Sequence, residues 1–123
     1  VDIKSIKPTA KVTYELDGKD ASVTFEVAFV APDMFGDYGF GKSADAKPPK
    51  FSALVRSVLM DAVQGWDLTE DGKAISCTDA NKAQYLPVIF GLLIKDEQAN
   101  PLDRVLGRAL LTFAMDSDNF LKN

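Results

Sequence analysis

Lys11 to Val30 reads KVTYELDGKDASVTFEVAFV. Val12, Tyr14 and Leu16 alternate with polar residues, and Val23, Phe25, Val27 and Phe29 do the same after a break. A period of two places each apolar set on one face of an extended strand. The break, Asp17-Gly18-Lys19-Asp20, contains the Asp-Gly pair that tight turns favour, because glycine takes positive φ without steric cost. Two in-phase apolar faces joined by such a turn predict an antiparallel β-hairpin over residues 11–30.

The pattern changes on the C-terminal side. Ala31 to Lys50 holds Pro32, Gly36, Gly39, Gly41, Pro48 and Pro49, and reads as a long, mobile Gly/Pro loop. From Phe51 the period becomes helical. Phe51, Leu54, Val55, Val58, Leu59, Ala62 and Val63 form one stripe at 3.6-residue spacing, with Gly65 as the expected C-terminal stop. Trp66 to Ser76 is a small turn element with Glu70-Asp71-Gly72-Lys73 at its tip, a hairpin or an ordered loop. Thr78 is a good N-cap for two helical turns to Leu86. Pro87 is expected to open a new helix reaching about Glu97, because proline is tolerated in a first turn and costly further in. Asn100-Pro101 is expected to start a last helix ending near Met115, with Leu102, Val105, Leu106, Ala109, Leu110 and Phe113 as its stripe.

The expected class is α+β: an N-terminal antiparallel β-hairpin, a long Gly/Pro loop, then a mostly helical C-terminal half of three to four helices. Its 123 residues suit a single domain, divided into hairpin (11–30), loop (31–50), helical part (51–116) and polar tail (117–123). No stretch has the roughly 18 apolar residues of a membrane span, and VDIKSIKPTAK lacks the apolar core of a signal peptide.

The residue inventory narrows the chemistry. The chain has no histidine and a single cysteine, Cys77, so Ser-His and Cys-His nucleophile pairs and internal disulfides are excluded. A net charge of −4 argues against a protein that neutralises nucleic-acid phosphates. Gly36 to Ser43 (GDYGFGKS) fits the spelling of a phosphate-binding loop. That loop needs a helix directly after Lys-Ser, and here Pro48-Pro49 leave room for one turn at most. Val58 to Asp61, which could imitate an apolar strand ending in a magnesium-binding acid, falls in the long helical stripe. Gly72 can be aligned with the glycine of a calcium loop, placing Asp67, Thr69, Asp71 and Thr78 at ligand positions, but the closing glutamate is missing. Cys77 precedes a helix start and has no histidine base. The carboxylate pairs Glu70/Asp71, Asp96/Glu97 and Asp116/Asp118 read as solvated faces. The expectation is therefore a non-enzymatic chain with no catalytic residue, cofactor or metal.

Two apolar groups are the candidate partner contacts. Phe35, Tyr38 and Phe40 lie in the glycine-rich loop. Val88, Phe90 and Leu92 lie in PVIFGLLI (87–94), which is apolar nearly all round.

The stretch from Val63 to Pro87 resembles a pattern in the tail assembly chaperones of tailed bacteriophages. In that pattern an apolar helix ends in a small residue and Trp (Gly65-Trp66). An acidic turn with glycine follows (Asp71-Gly72), then an apolar residue (Ile75), a polar cap (Thr78), and a short helix ending at Leu86-Pro87. The resemblance covers about a fifth of the chain specifically, and the rest agrees in layout. It implies a structural role for Gly65, Trp66, Gly72, Thr78 and Pro87. It implies a protein of the host bacterial cytoplasm, absent from the mature virion, that binds the phage tape-measure protein and keeps it soluble during tail assembly. The tail tube protein and further copies of the chain are additional expected partners, with no nucleic acid and no membrane. The alternative is a small structural virion protein of the tail or head-completion type, joined to its neighbours by strand edges.

Saturating MgATP is expected to leave the thermal midpoint unchanged in the native chain and in Lys42→Ala alike, since a ligand of the folded state raises it. A rise that Lys42→Ala abolishes would reinstate a phosphate-binding loop.

Overall fold

A computed structural model describes residues 3–31, 51–96 and 104–122. Strands β1 (Thr9–Glu15) and β2 (Ser22–Ala28) form the expected hairpin. Val12 stands opposite Phe25 and Tyr14 opposite Val23, so the two apolar faces coincide. The turn has Gly18 at φ 72° and is closed by the Leu16 N–H donating to the Ala21 carbonyl at 2.9 Å.

Helix α1 (Phe51–Ala62) buries Val58, Leu59 and Ala62 of the expected stripe. The side chains of Phe51, Leu54 and Val55 lie outside the described residues. The helix does not stop at Gly65. It ends at Ala62, and Val63 begins strand β3 (Val63–Trp66), which pairs antiparallel with β2. Gly65 stands opposite Glu26 inside this strand, beside a register shift at Glu26/Val27. The bulge returns both Val63 and Trp66 to the apolar face, opposite Val27 and Phe25. Side chains do the capping instead of glycine. The Lys82 ammonium donates to the Met60 carbonyl at 3.2 Å, and the Gln64 amide donates to the Asp61 carbonyl at 3.0 Å. A cation at a helix C-terminus also meets the negative end of the helix dipole.

The small turn element is a two-stranded hairpin, β4 (Thr69–Glu70) and β5 (Lys73–Ala74). Asp71 and Gly72 have φ of 52° and 78°, the two successive positive angles of a type I′ turn. Helix α2 (Asp79–Ile89) starts as expected, with the Asn81 N–H donating to the Thr78 hydroxyl at 3.2 Å.

Pro87 does not open a new helix. It sits inside α2, which runs on to Ile89. Proline there removes one backbone donor at a cost of about 3 kcal/mol. Leu86 and Phe90, one helical turn apart, are both buried in the core, and that burial offsets the loss. The chain then turns, and Leu93 and Ile94 make bridges to Val105 and Leu16. The predicted helix is therefore not continued past the turn: Leu93 and Ile94 are bridge residues instead, and Glu97 lies outside the described residues.

Helix α3 (Leu106–Met115) likewise begins later than expected, after an extended Val105. Asn100, Pro101 and Leu102 lie outside the described residues. The α3 stripe is rotated from the expected one. Leu106, Leu110 and Ala114 are fully covered and Leu111 is buried, while Ala109 and Phe113 are half-buried. The polar tail packs back onto the fold: a 3-10 turn (Ser117–Phe120) buries Phe120, and Leu121 bridges to Ile6 ahead of β1.

The sheet's apolar face and the stripes of α1 and α3 form one core around Phe25, Leu59, Leu86, Leu106 and Leu110. The opposite sheet face is polar, with Thr13 and Thr24 sharing a hydrogen bond at 2.8 Å and Thr9 donating to Glu26 at 2.7 Å. That one-sided burial is what period-two alternation encodes.

Gly107→Ala is expected to lower stability by about 1–3 kcal/mol, the usual cost of overpacking. An added Cβ would stand 2.9 Å from the Phe90 Cβ and 3.1 Å from its carbonyl oxygen. The shift in urea midpoint measures it, and an unchanged midpoint would show that α2 and α3 can separate freely.

Candidate functional site

Trp66 has a structural position. It lies opposite Phe25 at the end of β3, half-buried against the core, and its indole N–H donates to the Ile75 carbonyl at 2.7 Å. Two further bonds hold the β4–β5 hairpin to α2: the Tyr85 hydroxyl donates to Glu70 at 3.3 Å, and the Asn81 amide donates to the Ser76 carbonyl at 2.8 Å. The residues singled out between Gly65 and Thr78 therefore build a braced hairpin.

Three of the four residues at calcium-like spacing have structural roles. The Asp67 carboxylate accepts the Thr24 N–H at 2.9 Å, Asp71 occupies the I′ turn and Thr78 caps α2. Among the described residues no group of three or more Cys, Asp or Glu side chains is placed to hold a metal. Val58 to Asp61 lies in α1. Gly36 to Ser43 lies outside the described residues, as do Phe35, Tyr38 and Phe40.

Cys77 is half-buried, and burial pushes its thiol pKa up, opposed by the Lys82 charge and reinforced by Asp79. An upward shift is the opposite of what a nucleophilic thiolate needs. Burial also pushes the Tyr14 phenol up to about 12. Its ring packs against the core on the apolar face of β1.

The second apolar group is divided by the fold. Phe90 is only 7% exposed and serves the core, and Leu92 is half-buried against it. Val88 faces outward at 68% exposure. Leu93, which the sequence did not single out, is 49% exposed. Both flank the turn that ends α2, where the Gly91 N–H donates to the Val88 carbonyl at 3.2 Å and the Leu92 N–H to Ile89 at 3.1 Å. They are outward-facing apolar side chains on a backbone held from both sides. No sequence signal marked Leu93, because Leu92-Leu93-Ile94 is a continuous apolar run without alternation.

Ile6, Phe29 and Leu121 are the other large apolar residues with substantial exposure among those described. Phe29 packs edge-on to Phe120 with ring centroids 5.5 Å apart, and Ile6 and Leu121 bridge to each other. Grooves lined by described residues are rich in charged side chains. One of about 310 Å³ is lined by Asp17, Ile94, Lys95, Asp96 and Arg104, at the low end of the roughly 300–1,000 Å³ of ligand clefts.

No family model matches the chain, and neither does any curated protein or solved structure. No helix among the described residues is long and apolar enough to cross a membrane.

Two outcomes follow from these positions. Trp66→Ala is expected to cost about 3 kcal/mol, the low end for a large aromatic given its partial exposure, and Trp66→Phe about 1 kcal/mol for the lost hydrogen bond. Equal urea midpoints for the native chain and Trp66→Ala would make Trp66 a surface contact instead. Stability is also expected to fall as the pH rises from 10 toward 12. A raised phenol pKa stabilises the fold fully below the unfolded value, and that contribution is lost as pH climbs through the folded one. Tyr14→Phe should flatten this part of the urea-midpoint profile, and an identical slope in both proteins would show that the Tyr14 hydroxyl is solvated.

Proposed function

We propose that the chain is a non-enzymatic tail assembly chaperone of a tailed bacteriophage, acting in the host cytoplasm by binding the tape-measure protein and keeping it soluble until the tail tube forms around it. The observation that carries the reading is the outward Val88 and Leu93 at the end of α2. Exposed apolar side chains on a fixed backbone suit the apolar stripe of a helical partner. The patterned residues before them support it too, because Trp66, Gly72 and Thr78 hold the hairpin that leads into α2.

The physical mechanism is burial of one apolar stripe against another. A contact built on two such residues is weak alone, and many copies along one long partner gain by avidity. The chaperone then leaves when a stronger lateral assembly, the polymerising tube, covers the same stripe.

The test is co-expression with the long helical protein encoded in the same phage programme. The partner is expected to become soluble and to co-purify in a ratio above one chaperone per partner. A partner that stays insoluble, with this chain present in purified particles, would replace the reading with that of a small structural virion protein. Val88→Lys and Leu93→Lys are expected to reduce co-purification severalfold while moving stability by no more than about 0.5 kcal/mol, the usual range for surface substitutions. Undiminished co-purification by both variants would remove this face from the contact.

A further inference from the structure

We draw no further inference here: the strongest candidate, the shallow groove on the polar outer face of the sheet between Lys11, Thr24, Glu26, Gly65 and Asp67, has its two carboxylates already held by Thr9 and by the Thr24 N–H, and nothing in the structure shows what covers it.

Discussion

The five residues from Phe90 to Ile94 satisfy three elements at once. The Phe90 and Leu92 carbonyls accept the Gly107 and Leu106 N–H groups at 3.0 and 2.8 Å. These are donors of the first turn of α3, which have no partner within their own helix. Ile94 donates to the Arg104 carbonyl at 2.8 Å, and the Leu93 carbonyl accepts from Asp17 at the end of the first hairpin, also at 2.8 Å. A few backbone groups thus tie the end of α2 to the start of α3 and to the edge of β1. The closeness depends on Gly107, since any side chain there meets Phe90. With buried backbone groups this costly to leave unpaired, the segment has little freedom to do anything else.

The same junction explains the outward Val88 and Leu93. Once the backbone is committed to α3 on one side and to β1 on the other, the inward positions go to Leu86, Phe90 and Ile94, all buried. Val88 and Leu93 are left outside by register, and no rearrangement of side chains alone can bury them. In the proposed contact these side chains stand on a hydrogen-bonded backbone, so binding to them would lose little ordering entropy.

The elements behave differently under the constraints of burial. β2 has β1 on one side and β3 on the other, and its inward side chains are fully covered. The β4–β5 hairpin is exposed along both strands and is held by Trp66, Tyr85 and Asn81 at its base. Elements with few buried contacts open at lower free energy than the core. Loss of the Trp66 anchor is therefore felt first in the hairpin, and then at the α2 cap that follows it.

The sequence by itself determined the elements whose signals are local. The first hairpin follows from alternation and Asp17-Gly18, the second turn from Asp71-Gly72, the start of α2 from Thr78, and the body of α1 from its 3.6-residue stripe. Each rests on groups within a few residues of one another, so no distant partner was needed to read them. Tertiary structure decided the rest. Val63 to Trp66 joined the sheet because the open edge of β2 needed a strand, and Lys82 took over the end of α1 from twenty-two residues away. Pro87 stayed within α2 because burying Leu86 and Phe90 offset the missing donor. Leu92 to Ile94 became extended because the edge of β1 and the start of α3 offered it hydrogen bonds. A continuous apolar run such as PVIFGLLI has no period of its own. Only its neighbours could decide that Phe90 goes inward and Val88 and Leu93 face out.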